Sequence, residues 1–180
     1  QWGLQSPGQS LTFGRMIADR RTSVAFTGHR TYRGAAADAL RRTVGELYAR
    51  GFRTFLSGMA VGFDLAAAEA VLELRERVPG VRLVAAVPFR GQEMRFSPAD
   101  RERFRRVLAE ADSVEVLAPA YHRGCYAVRN DFLVYNARVL VAWYDGSPGG
   151  TRYTVRRGLE VVNLCPAAPV PPAPEPTLFG

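Results

Sequence analysis

Apolar residues along this chain fall into short unbroken runs separated by longer stretches in which they recur every three or four positions. Ser23 to Thr27 is the first run, a β-rich segment that ends at Gly28-His29-Arg30. From Ala35 to Arg50 the apolar positions Ala36, Leu40, Val44, Leu47 and Tyr48 keep a helical period, and Gly51 closes the helix. Phe52 to Leu56 reads as a second strand and Val61 to Val78 as a second helix, stopped by Pro79-Gly80. Val81 to Val87 is continuously apolar, as a strand covered on both faces must be, and it ends at Pro88. Arg90 to Phe96 reads as a loop. Ser97 as cap and Pro98 at the first helical position then start a third helix that runs to about Glu110. Ser113 to Leu117 is a strand, Ala118 to Gly124 a loop, Tyr126 to Asn136 a helix and Val139 to Tyr144 a strand. A glycine-rich turn, Asp145 to Thr151, opens a short helix to Arg157, and Glu160 to Leu164 is the last strand.

Five or six strands alternating with helices predict an α/β fold with a mostly parallel sheet and helices on both faces. Right-handed crossovers bring every βα loop to one edge, where ligands of open sheets bind near a switch in strand order. The segment before this unit, residues 1–21, lacks a clear period and is expected to be an arm. Residues 22–165 form the domain. From Pro166 to Gly180 the chain turns to proline and alanine, a composition that favours polyproline II and packs no core.

Composition narrows the partners. The chain has 180 residues, 47% of them hydrophobic, enough for one core. Its net charge is +7, and every basic residue is arginine, the side chain that holds phosphate or carboxylate by a two-pronged fork. That balance favours anions without choosing between nucleotides and nucleic acid. Cys125 and Cys165 are far apart and lack metal-ligand spacing, so neither a disulfide framework nor a metal site is implied. No apolar run has the length of a signal peptide or a membrane span, so a soluble, cytoplasmic protein is expected.

The chemistry concentrates in the loops that follow strands. Ser57-Gly58-Met59-Ala60-Val61-Gly62-Phe63-Asp64 runs from a strand through a glycine turn into a helix. Its glycines either admit an anion to the backbone or only permit the turn, and Asp64 either accepts ribose hydroxyls or caps the helix. Gly149-Gly150-Thr151 combines two glycines, a hydroxyl and a helix start, which is what a phosphate seat needs, the alternative being a plain loop. His29 either donates to a phosphate or ribose or is a turn residue tied to backbone. Arg30 pairs with phosphate or bridges to Asp64 or Asp145. The run Arg101, Arg103, Arg105, Arg106 reads as a solvated helix face with local ion pairs, and Phe52, Phe55, Phe63, Phe104 and Trp143 read as core. Tyr121, His122 and Tyr126, in or near a loop, have the character to stack on a base.

Taken together, Thr27-Gly28-His29-Arg30, Ser57 through Asp64, Pro88 with Gln92, Arg129-Asn130, and Tyr144-Asp145-Gly146 followed by Gly149-Gly150-Thr151 resemble the YpsA-like branch of the SLOG superfamily over about Ser23 to Leu164. The resemblance implies a Rossmann-like fold and a nucleotide or nucleotide-derived ligand of the ADP-ribose, NAD or AMP type, with no certain cofactor. It places Gly58, Gly62 and Asp64 in the first ligand loop, Gly149, Gly150 and Thr151 in a phosphate loop, and Arg129 in the nucleotide site. Related LOG phosphoribohydrolases carry glutamates just beyond their Gly-Thr, whereas Arg152, Tyr153 and Thr154 follow Thr151 here. The same resemblance differs at Thr31, where proline is expected, and at Phe96, where tryptophan is usual. The function it implies is ligand binding or sensing without turnover, read out by a protein partner or a homodimer. Hydrolysis of a nucleotide N-glycosidic bond is the alternative, and single-strand binding in the manner of the DNA-processing protein DprA is a second one.

Overall fold

The computed structural model describes residues 17–158 and 160–166. Six strands, β1 (Ser23–Gly28), β2 (Thr54–Ser57), β3 (Arg82–Val87), β4 (Ser113–Val116), β5 (Val139–Trp143) and β6 (Glu160–Asn163), form one sheet in the order β4-β3-β2-β1-β5-β6. Every pairing is parallel, where the sequence pattern predicts a mostly parallel sheet. The helices α1 (Ala37–Ala49), α2 (Phe63–Arg75), α3 (Pro98–Glu110), α4 (Cys125–Asn136) and α5 (Gly150–Val155) are the crossovers. Within the segment expected as a loop, Gln92–Arg95 forms a turn of 3-10 helix.

Alternation along the strands sends side chains to two layers. Val24, Phe26, Phe55, Leu83, Val139 and Val141 meet Leu40, Val44 and Leu47 of α1, much of α2, and Phe104 and Val107 of α3. Their neighbours Ala25, Leu56, Val84, Ala86, Leu140 and Ala142 meet Leu133 of α4 and Val155 of α5. Three helices thus cover one face and two the other. The chain reverses direction across the sheet between β1 and β5, and α1 and α5 leave those strands toward opposite faces. A crevice opens at their carboxyl ends because no helix covers the gap.

The arm expected over residues 1–21 is docked at its described end. Ile17 packs against the second layer, its N–H donates to Asn136 Oδ1 at 2.9 Å, and Arg20 Nε donates to the Ala137 carbonyl at 3.1 Å. An arginine on the terminal carbonyls of α4 satisfies acceptors that the helix leaves open. Residues 1–16, and the proline-rich tail from residue 167 on, lie outside the described residues. Two of the arginines of α3 are held by neighbouring groups: Arg103 meets Glu69 at 2.7 Å and Asp100 at 3.1 Å, and Arg101 donates to the carbonyls of Glu93, Met94 and Phe96. Both cysteines are buried free thiols.

Two glycines test this packing in opposite directions. A Cβ at Gly28 would stand 2.4 Å from Phe63 Cβ, so the end of β1 rests directly on the first turn of α2. Nothing lies within 4 Å of a Cβ at Gly45, in the middle of α1. Gly45→Ala should raise the unfolding free energy by about 0.5–1 kcal/mol through helix propensity alone. Gly28→Ala should lower it by about 1–3 kcal/mol, because Phe63 is enclosed and must be displaced. Urea unfolding of the two variants measures both, and equal stabilities would contradict this account of the β1 to α2 contact.

Candidate functional site

The crevice holds a cavity of about 310 Å³ lined by Thr27, Gly28, His29, Arg30, Ala60, Asp64, Tyr126, Arg129, Asn130, Gly150 and Thr151. The end of β1, the first turn of α2, two turns of α4 and the start of α5 each contribute a wall.

At its floor lie a carboxylate and a guanidinium, both withdrawn from water. Asp64 is 4% exposed and Arg129 6% exposed. They flank Gly58, where a Cβ would stand 2.9 Å from both Asp64 Oδ2 and Arg129 Cδ. Arg129 donates through Nη1 to the Gly58 carbonyl and through Nε to Asn130 Oδ1 at 2.8 Å, so backbone and a neighbouring amide hold its fork. Asp64 Oδ2 accepts from the Ala60 N–H at 3.3 Å, while its Oδ1 is buried without a hydrogen-bond partner. An acceptor in that state is costly unless something donates to it.

Burial governs the charges. Desolvation pushes the Asp64 carboxyl up to about 6, against the opposing pull of Arg129, the Ala60 N–H and Arg30. Burial likewise pulls the Arg129 guanidinium below its ordinary value, the field of Asp64 opposing it. An arginine keeps its proton nonetheless. Above about pH 6 the floor therefore carries both charges, and below it the positive one alone.

Ser57 shapes this floor from behind. Its buried hydroxyl donates to the Asp64 carbonyl at 2.9 Å and accepts from the Met59 N–H at 3.2 Å. Met59 takes φ 60, a left-handed conformation that a non-glycine residue adopts only where its surroundings impose it. Its fully buried side chain is the anchor. Gly62, at φ 82, has no room for a Cβ against the Arg30 and His29 carbonyls, so it joins the two loops and stays out of the cavity lining.

On the opposite wall, Gly149 takes φ 140 and ψ −165, a region open to glycine, and sets the start of α5. Gly150 has no such backbone demand, and a Cβ there would meet only Asn130 Nδ2 at 3.5 Å. With six residues α5 is too short for a developed dipole. What this wall offers are N–H groups of a first turn and the Thr151 hydroxyl.

Eight of the sequence-derived site residues line the cavity: Gly28, His29, Arg30, Asp64, Arg129, Asn130, Gly150 and Thr151. Ser57, Gly58, Gly62 and Gly149 support it from behind. Gln92 and Asp145 do not reach it. Gln92 is buried in the 3-10 turn after β3, where its N–H donates to the Phe89 carbonyl at 3.3 Å, and its Oε1 has no partner. Asp145 is turned to solvent and engaged by its own loop: its Oδ1 accepts from Ser147 N at 2.9 Å and Ser147 Oγ at 2.6 Å, which hold its carboxyl below the usual range. His29 ties the two loops together, its Nε2 lying 2.8 Å from Asp145 Oδ1 and 3.2 Å from Asp145 N. Arg30 makes no ion pair with Asp64 or Asp145 and lies 5.0 Å from the Tyr126 ring centroid instead. The lining also includes Ala60, which no residue-type signal marks, since it acts through its backbone N–H.

A parallel α/β sheet with a glycine-lined crevice at its topological switch defines the Rossmann-like class. Within that class the chain belongs to the YpsA family, whose model, described as the YspA SLOG family, matches residues 25–161. It is similar to a UPF0398 protein of Halalkalibacterium halodurans, 30% identical over 118 residues, covering 64% of this chain and 62% of that protein. A UPF0398 protein of Shouchella clausii is 37% identical over 94 residues, covering 51% of this chain and 50% of that one. The chain thus spans between half and two thirds of the length of these relatives. Among solved structures, DNA processing protein A from Streptococcus pneumoniae superposes with a TM-score of 0.55 at 18% identity, covering 75% of this chain and 46% of that one. DNA processing protein A from Helicobacter pylori, described for its binding of single-stranded DNA, superposes at 0.53 with 15% identity, covering 78% and 64%. These likenesses establish the shared fold. Among the described residues no helix is long and apolar enough to cross a membrane, and no three His, Cys, Asp or Glu side chains cluster as a metal site would require.

The raised Asp64 value makes stability depend on pH. The unfolded carboxyl titrates near 3.8 and the native one near 6, so the native state holds the extra proton in between. Stability contributed by the protonated form is complete below the lower value and is lost as pH rises through the higher, by an amount on the order of 3 kcal/mol. Urea unfolding of the wild type against Asp64→Asn, which cannot titrate, should show the difference drifting against the wild type between about pH 4 and pH 7. A difference constant across that window would mean that Asp64 is not desolvated as described.

Proposed function

We propose that this crevice binds a nucleotide or nucleotide-derived ligand of the ADP-ribose type and that the protein acts by binding or sensing it, without turnover. The observation that carries the reading is Asp64, which lines the cavity beside a charged arginine and whose buried Oδ1 is an acceptor with no partner. Ribose hydroxyls donate to such an oxygen, as they do to the acidic residue of dinucleotide sites. Arg30, Arg129 and the first-turn N–H groups at Gly150 and Thr151 suit the phosphate. A volume of about 310 Å³ is at the lower end for small-molecule sites and fits a ribose phosphate, with the rest of the ligand at the mouth.

Binding is favoured over N-glycosidic hydrolysis because, among the described residues, Asp64 is the only carboxylate in the lining, and Arg152, Tyr153 and Thr154 rather than glutamates stand directly after Thr151. Hydrolysis requires a group that positions water and one that stabilises the developing charge, and Asp64 here has Arg129 beside it. Fold likeness to a single-stranded DNA binder, together with the net charge of +7, supports nucleic-acid binding as the second reading.

A thermal-shift panel of ADP-ribose, AMP and NAD separates the readings. A ligand held by the native state alone adds about 2.7 kcal/mol at a hundredfold excess over its Kd, several degrees in Tm for a domain this size. Gly150→Val, whose methyl groups would occupy the cavity, should abolish the shift and leave the circular-dichroism spectrum unchanged. Thr154→Val, one turn further along α5, should keep it. No shift with any ligand at millimolar concentration counts against the reading, release of free base at catalytic rates replaces it with hydrolysis, and salt-dependent single-strand binding that mononucleotides fail to displace replaces it with the second.

A hydroxyl that donates to Asp64 favours its ionised form. Affinity for a ribose-bearing ligand should therefore increase as pH rises through about 6, with proton release on binding, measurable by calorimetry in buffers of different ionisation heat. Weakening over the same range would place the ligand's anionic group, not its sugar, against Asp64.

A further inference from the structure

A small aromatic cluster, with Phe89 buried beside Ala118 and Cys125 and Tyr126 packed on it, stands beside the cavity apart from the two main core layers. Tyr126 forms part of the cavity wall, and beyond it the aromatic surface continues outward. Phe89, 4% exposed, is the keel: its ring centroid lies 5.9 Å from that of Tyr126 and 5.4 Å from that of Tyr121, both edge-on. Tyr121 and Tyr126 stand 6.3 Å apart. Arg30 lies over Tyr126 at 5.0 Å and Arg95 over Tyr121 at 5.1 Å. Tyr121 leaves 52% of its surface open.

We infer that Tyr121, Tyr126 and Phe89, with Arg30 and Arg95, form the seat for the base of the nucleotide whose ribose phosphate occupies the cavity. The inference rests on the nucleotide reading above. Three arguments carry it. The ridge begins at a cavity wall, so a base leaving a ribose held at Asp64 passes over Tyr126 first. The cavity, about 310 Å³, is at the lower end for small-molecule sites, and a ligand of the ADP-ribose type seated in it extends over its mouth. An exposed ring and a half-buried one, braced by a buried ring and accompanied by guanidinium groups, offer a surface on which flat, electron-rich bases stack, irrespective of which base is present. The seat recognises a base by its face. It confers a preference for nucleotides over bare sugar phosphates and for the large purine surface over the small pyrimidine one.

The test compares AMP with ribose 5-phosphate by calorimetry on the full chain, wild type and Tyr121→Ala. Tyr121 lies outside the cavity lining, so ribose 5-phosphate should bind both proteins equally. AMP should bind the wild type about tenfold or more tighter than ribose 5-phosphate, and Tyr121→Ala should erase most of that advantage. Tyr121→Phe should retain it, which separates stacking from any role of the hydroxyl. If neither compound binds the wild type, the nucleotide reading of the cavity fails. If both bind but AMP has no advantage, or Tyr121→Ala leaves its advantage intact, the cavity stands and the base seat is overturned.

Discussion

Asp64 and Arg129 sit on either side of a residue that has no side chain, and the geometry of the crevice follows from that. With glycine at position 58, its backbone carbonyl can receive Arg129 while the carboxylate lies alongside, and both groups give up their water. A Cβ would separate them or drive one out of the floor. Each charge alone in such a place is severely unfavourable, and together they are tolerated. Ser57, Met59 and Gly62 then serve one end: to present the first turn of α2 with Asp64 in that position, even at the cost of a left-handed methionine.

This arrangement also accounts for the pairing of loops. The β1 to α1 loop is pinned to α2 through Gly28 and Gly62 and to the β5 to α5 loop through His29 and Asp145. The loops on both sides of the floor are therefore tied together, the β5 to α5 loop that leads to Gly150 and Thr151 through the lining residue His29. Preorganised sites of this kind bind without spending their interaction energy on ordering loops.

Much of this was legible before any coordinates. Unbroken apolar runs such as Val81 to Val87 require cover on both faces, and glycine turns after strands mark the binding edge, so the architecture and the neighbourhood of the site follow from local patterns. Long-range packing does not. That Gly58 is glycine because of Arg129 involves residues 71 apart in sequence, and an arginine on a helix, read alone, belongs in water. Gln92 and Asp145 belong to the right loops, but one is buried in its own turn and the other is captured by Ser147, outcomes decided by neighbours a few residues away. The glycines at 149 and 150 look equivalent in sequence, and only backbone angles distinguish the one that must be glycine from the one that need not be.

The place where strand order reverses has a temporal side as well. β1 lies between β2, which follows it by one helix, and β5, which the chain supplies only after three more strands have been laid down. As a chain emerges from the amino end, β1 to β4 can pair in succession while the far edge of β1 stays bare. Arg129, Asn130, Gly150 and Thr151 all belong to the segments around that late strand. The half-made sheet thus has Asp64 with Ala60, His29 and Arg30 but lacks Arg129, Asn130, Gly150 and Thr151, and the crevice gains its second wall only with the segments on either side of β5, the partner of the oldest strand in the sheet.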